Sequence, residues 1–227
     1  DKNYFLKNKD AFYETYNWLE DEKSRQIFVA YLKSRLSGDP EELIGYCTTP
    51  QYFDKIIKSL NIDTFIDCGA YDGDTITEFI KQTNGNYKTI YAFEADSENV
   101  EQLKKNHYGN EKIKVIDKGV WSHKTSLYFD ADNTTSSKIS DNGSIKIDVV
   151  PIDDYKFNPN ERIFLKADIE GSELEMLKGA QNLIKNHKPL LAMFIAMTYR
   201  GFLASATLLI VESHWNSLEI SDCCPMS

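Results

Sequence analysis

The stretch TFIDCGAYDGDTI, Thr64 to Ile76, constrains the fold more than any other part of the chain. An apolar, β-branched run leads into Asp67; Gly69 and Gly73 follow four residues apart; a helical pattern begins at Asp74. This is the signature of a strand that turns through glycine into a helix, where glycine permits close backbone approach and tight helix–strand packing. Units of this kind build parallel sheets with crossover helices.

The alternation recurs from residue 61 onward. Strands are expected at 63–68, 88–95 and 112–117, with helices from Asp74 to about Gln82 and over SENVEQLKKNHY. The pattern then breaks: TSLYFD and SIKIDVVPID read as two strands of a hairpin-like insertion around a polar loop, 131–144, expected to be mobile. A strand at 162–168, a helix from Ser172 to about Asn186 and a buried strand over PLLAMFIAM resume the alternation. Before it, residues 1–60 read as a helical extension. One helix is expected from Asp21 to Leu36 with Ile27, Phe28, Tyr31, Leu32 and Leu36 inward, stopped by Gly38 and Pro40, and a second over QYFDKIIKSL. The fold class is therefore α/β, a mostly parallel sheet with helices on both faces plus an N-terminal helical extension. Its ligands belong at the carboxyl ends of the strands.

Charge narrows the partners. The 227 residues carry 26 basic and 35 acidic side chains, a net charge of -9 that disfavours nucleic acid and anionic membranes. No apolar run is long enough for a transmembrane helix, and the start DKNYFLKNKD lacks an apolar signal core. The cysteines, Cys47, Cys68, Cys223 and Cys224, fit no zinc spacing and read as reduced thiols of a cytoplasmic protein.

The glycine turn carries its own ligand signal. A pyrophosphate-binding turn favours G-x-G-x-x-G, whereas this one has G-x-x-x-G flanked by Asp67, Asp72 and Asp74. These carboxylates would repel a phosphate and suit a ligand carrying an ammonium and a sulfonium, such as S-adenosylmethionine. Glu94, 21 residues beyond Gly73, ends the second strand where an acid accepts hydrogen bonds from ribose hydroxyls. Coenzyme contacts are expected from Asp67, Gly69, Ala70, Tyr71, Asp72, Gly73, Asp74 and Thr75, and from Glu94 with Ala95. Asp74 has a plainer alternative as a helix cap.

FIDCGAYDGDT, YAFEADSENVEQLKKN, GVWSHKTSLYF, VVPIDDY and, above all, FLKADIEGSELEMLKGAQNLIKNHKPLLAM resemble the FkbM-type methyltransferase family over residues 61–197. The resemblance implies a Rossmann-like class I fold, S-adenosylmethionine as coenzyme, and methylation of hydroxyl groups, often on sugars or polyketide-like products. Its most specific element is K-x-D-x-E-G-x-E; by analogy of position with class I folds, Asp117 or the backbone near Val120 would read the adenine.

In that run Lys166, Asp168 and Glu170 alternate, so they project to one face if the strand continues. Methyl transfer to a hydroxyl requires a held acceptor oxygen and is helped by a base. Asp168 and Glu170 are the candidates for acceptor positioning and base, and Glu173 either lines the acceptor site or caps its helix. Lys166 could neutralise this acidic cluster. Asp168 and Glu170 also offer oxygen ligands to a divalent cation, although nothing else in the sequence requires one and no metal ligand is assigned. His123 reads as a surface turn residue.

After Met197 the family pattern is not recognisable, and 198–227 reads as an atypical tail in which ATLLIVES makes one strand. The expected function is methyl transfer from S-adenosylmethionine to a hydroxyl of a small or saccharide acceptor, as in polysaccharide biosynthesis, by a chain able to form a homo-oligomer. Two alternatives stand: a non-catalytic coenzyme-binding or assembly module in glycan synthesis, and an NAD-dependent oxidoreductase.

Overall fold

A computed structural model describes residues 2–19, 22–39, 41–46, 53, 61–129, 145–169, 171–199 and 202–210. Its centre is a six-stranded sheet in the order β3-β2-β1-β7-β8-β9. These strands are β1 (Thr64–Cys68), β2 (Thr89–Glu94), β3 (Ile113–Asp117), β7 (Ile163–Ala167), β8 (Leu190–Tyr199) and β9 (Phe202–Ile210). All pairs are parallel except β8 with β9. The chain moves outward from β1 to β2 and β3, then returns to the other side of β1 as β7. That reversal opens a crevice at the carboxyl ends of β1 and β7.

β1 and β7 are buried at every position, as central strands covered on both faces must be. The two-residue period divides their side chains between two cores. Ile66, Cys68, Tyr91, Phe93, Leu165 and Ala167 pack on one face. Phe65, Ile90, Ala92 and Phe164 pack on the other, with Phe65 stacked on Phe164 at 5.1 Å and on Phe79 at 4.6 Å.

The helices in chain order are α1 (Lys2–Lys7), α2 (Lys9–Trp18), α3 (Glu22–Ser37), α4 (Glu41–Ile44), α5 (Asp74–Gln82), α6 (Ser97–Asn106), α7 (Glu173–Lys178) and α8 (Gln181–His187). α3 matches the expected N-terminal helix and ends at Gly38, whose φ is 73°. Its buried face holds Ile27, Phe28 and Ala30, whereas Leu36, expected inward, is exposed. The expected helix at 51–60 and the loop 131–144 lie outside the described residues, as do Cys47, Cys223 and Cys224. No helix among the described residues is long and apolar enough to cross a membrane.

The insertion is a second sheet, β4-β6-β5, formed by β4 (Gly119–Val120), β5 (Thr125–Phe129) and β6 (Ile145–Val150). The expected antiparallel pair is β5 with β6; the short parallel partner β4 is an addition.

The single helix expected from Ser172 to Asn186 is two helices. A Cβ on Gly179 would collide with the Trp121 carbonyl, so the backbone of the insertion passes directly over the chain here. Asp153 then accepts hydrogen bonds from Asn182 N (2.8 Å) and Leu183 N (2.9 Å), capping the restart as α8.

Candidate functional site

The glycine turn between β1 and α5 is held from three sides. The Gly69 and Ala70 amides both donate to the Phe93 carbonyl at 3.0 Å, tying the turn to β2. Gly69 has φ 77°, and a Cβ there would strike the Asp168 carbonyl oxygen, so β7 runs against the turn as closely as backbone permits. Gly73, at φ 87°, sits under the end of α6, where a Cβ would meet the His107 ring. His107 Nε2 lies 3.0 Å from the Gly73 carbonyl, and Asn106 Nδ2 donates to the Asp72 carbonyl at 2.8 Å. Tyr71 adopts a φ of 49°, a sparsely populated region for an aromatic residue, with its ring exposed and its amide donating to Glu94 Oε2 at 2.8 Å.

The three aspartates around this turn differ. Asp67 is fully buried, on the same face as Lys166 of the adjacent strand and in direct register with it. Lys166 Nζ lies 3.0 Å from Asp67 Oδ1 and donates to the Gly69 carbonyl at 2.8 Å. Asp67 Oδ2 has no hydrogen-bond partner among the described residues. Burial pushes the Asp67 carboxyl up to about 6, against the pull of Lys166, with Asp74 and Asp168 adding smaller upward pushes. Burial acts downward most strongly on the Lys166 ammonium, but the charge and hydrogen bond of Asp67 together with the Asp168 charge hold the ammonium above its ordinary value. Burial likewise raises the neighbouring Cys68 thiol. Asp72 and Asp74 instead serve local backbone: Asp72 Oδ1 accepts from Asp74 N (3.2 Å), and Asp74 Oδ1 accepts from the amide and hydroxyl of Thr75. Thr75 is buried by this arrangement, and Ala70 is buried in the core beneath the turn.

At the end of β2, Glu94 is half-buried and accepts three backbone hydrogen bonds: Tyr71 N on Oε2, and Ala95 N and Asp96 N on Oε1, both at 2.9 Å. Asp117 is its register partner on β3 and is exposed. The Val120 side chain is in the core, and its strand pairs with β6. Glu94, Asp117 and the glycine turn therefore share one edge of the sheet.

Across the crevice, β7 ends at Ala167, so Asp168 lies just past the strand rather than continuing its alternation. The Asp168 amide donates to the Cys68 carbonyl at 3.0 Å, which sets this half-buried acid beside the turn. Glu170 lies outside the described residues. Glu173 is the first residue of α7 and accepts from Gly171 N, which precedes the N-cap Ser172, at 3.2 Å. His123 is exposed beside Ser122. Among the described residues no group of three or more His, Cys, Asp and Glu side chains is arranged to hold a metal ion.

Sequence reasoning missed Asn106 and His107, which end an amphipathic helix and reach the turn through backbone carbonyls distant in the chain. Lys166, expected to neutralise the acids at the end of β7, is ion-paired with Asp67 and also feels the Asp168 charge.

Comparison with known proteins fits this arrangement. A family model described as the methyltransferase FkbM domain matches residues 67–219. The match runs past Met197, correcting the expectation that the family pattern fails there; β9 accordingly completes the sheet as an antiparallel edge strand. A crystal structure of the methyltransferase FkbM from Methylobacillus flagellatus KT is 29% identical, with a TM-score of 0.66, over 83% of this chain and 48% of that one. The chain thus spans about half the length of that protein. Likeness is far weaker to an rRNA methylase from Streptococcus thermophilus (15% identity, TM-score 0.36, 63% of this chain and 66% of that one). It is equally weak to a methyltransferase candidate from Streptococcus mutans in complex with SAH (12%, 0.38, 61% and 67%). No curated protein matches. With a glycine turn opening α5, an acid ending β2 and the matched region spanning both, the chain belongs to the FkbM family of S-adenosylmethionine-dependent methyltransferases.

Proposed function

We propose that this protein transfers a methyl group from S-adenosylmethionine to a hydroxyl of a small or saccharide acceptor. The observation that carries the reading is the backbone contact between Gly69 and Asp168, which brings the acid-bearing residue just past β7 directly beside the coenzyme turn of β1.

The donor set suits such a coenzyme. Glu94 retains acceptor capacity beyond its three amides for the ribose hydroxyls, and exposed Asp117 stands next to it for the adenine side. Asp67 is neutralised by Lys166, so the carboxylates of Asp72 and Asp74 are what make the turn negative, which favours an ammonium and a sulfonium. When bound, the coenzyme supplies a methyl carbon activated by a positive sulfur.

The chain's own residues do the rest. The turn fixes the coenzyme's position through its pinned backbone, and Asp168 orients the acceptor hydroxyl towards the crevice. Asp168, with Glu170 beside it in sequence, accepts the hydroxyl proton as transfer proceeds. Glu173, already engaged with the Gly171 amide, supports the loop that carries them.

The test is calorimetry with S-adenosylhomocysteine followed by a methyl-transfer screen over hydroxylated small molecules and saccharides. Binding accompanied by transfer to a hydroxyl supports the reading. Binding with no transfer to any hydroxyl acceptor refutes the O-methylation, and no binding by folded protein refutes the coenzyme.

A further inference from the structure

We propose that Lys166 is a positioning residue that sets the shape of the coenzyme turn from the neighbouring strand. The inference rests on the reading of that turn as the S-adenosylmethionine site. Lys166 is a lysine inside a central strand buried on both faces, with a side-chain exposure of 3%. Lysine is rarely so placed, because its ammonium must leave water. Asp67 and the Gly69 carbonyl compensate it here, and the Asp168 charge adds to them. Asp67 lies directly opposite on β1 and supplies the countercharge, and the Gly69 carbonyl accepts its proton at 2.8 Å.

The second contact distinguishes this pair from an ion pair that only holds two strands together. Gly69 donates its amide to Phe93 of β2 and gives its carbonyl to Lys166 of β7, so both faces of its peptide environment are fixed by different strands. Lys166 also lies two residues before Asp168, whose carbonyl touches Gly69. One side chain thereby links the turn that holds the coenzyme to the strand end that presents the acid. Two strands far apart in the chain share one adjustable point.

The decisive comparison is Asp67→Asn with Asp67→Asn/Lys166→Met, since the Asp67 charge is absent from both and the double variant leaves no unpaired buried ammonium. S-adenosylhomocysteine affinity and amide exchange at residues 69–73 are measured on each, beside their unfolding midpoints. The double variant is expected to match Asp67→Asn or exceed it in stability, yet to bind at least about tenfold more weakly and exchange faster at 69–73. Equal affinity and equal exchange in the two would overturn the proposal and reduce Lys166 to an ion-pair partner. If the Met variant does not fold, Lys166→Gln in the same background keeps a polar group in the site and is read the same way. Wild-type protein that fails to bind S-adenosylhomocysteine would refute the coenzyme reading instead, while the exchange rates still decide whether Lys166 holds the turn.

Discussion

Gly69 and the carbonyl of Asp168 are in backbone contact, with no room between them for a side chain. Gly69 also has a positive φ of 77°. Substitution by alanine thus meets both a conformational penalty and a collision with rigid backbone. Gly69→Ala is expected to destabilise the fold by about 2–4 kcal/mol and to abolish S-adenosylhomocysteine binding. Denaturant unfolding checks the first part; a loss below about 0.5 kcal/mol would show that β7 can move aside.

Glu94 joins the turn, its own strand end and the start of α6 through three amides. Glu94→Ala should cost about 1–2 kcal/mol of stability, because the residue is half-buried and water replaces part of the loss. Coenzyme binding should fall much further. Calorimetry that finds unchanged affinity in the variant would remove Glu94 from the site.

Asp67 gives a pH signature with a definite sign. Its carboxyl is raised from 3.8 in the unfolded chain to about 6 in the folded one, through burial first. Between about pH 4 and pH 6 the folded state therefore holds a proton that the unfolded state has lost. Through this group alone, stability falls as pH rises across that window, by on the order of 3 kcal/mol, and is level above it. Asp63, Asp148 and Glu175 shift the opposite way, so wild type must be compared with Asp67→Asn. The difference in unfolding free energy between the two proteins should slope from pH 4 to 6; a flat difference contradicts the assignment.

His107 meets the Gly73 carbonyl from the end of α6 at 3.0 Å. His107→Ala should cost about 1 kcal/mol and weaken S-adenosylhomocysteine binding a few-fold, by loosening the turn. Faster amide exchange at residues 73–77 would accompany it. Affinity and exchange both equal to wild type would make the contact incidental.

Asp168→Asn keeps the shape beside Gly69 and removes the acid. Methyl transfer should drop by about 10²–10⁴-fold while S-adenosylhomocysteine affinity stays within about twofold. A loss confined to affinity would place Asp168 with the coenzyme rather than the acceptor.

Much of this architecture was legible before any coordinates. Short apolar runs alternating with amphipathic segments predict strands within a residue or two of β1, β2, β3 and β7, because burial on both faces leaves few other uses for such runs. The break at Gly179 was not legible: GAQN reads as helix, and the chain departs from it because the Trp121 carbonyl occupies the space and Asp153 caps the restart. The extra strand β4 escaped notice for a similar reason, since two residues carry no period. Of the acids flanking the turn, sequence identified the set but could not divide it. Asp72 and Asp74 spend oxygens on the amides of their own turn, as short acidic side chains do.

The order of residues by itself determined a sheet of βαβ units, a glycine turn at the end of β1 and an acid at the end of β2, since these rest on local period and on glycine's backbone freedom. Membership of the FkbM family rests on the same local motifs. Only the tertiary structure decided which residues face one another across the crevice. Asp67 and Lys166 are adjacent because β7 returns to pair with β1 in a register that opposes them. A two-residue period says which face a side chain takes but nothing about which distant strand will lie beside it. A lysine in an apolar strand reads as a misplaced surface charge until the carboxylate and the carbonyl that receive it are both in place.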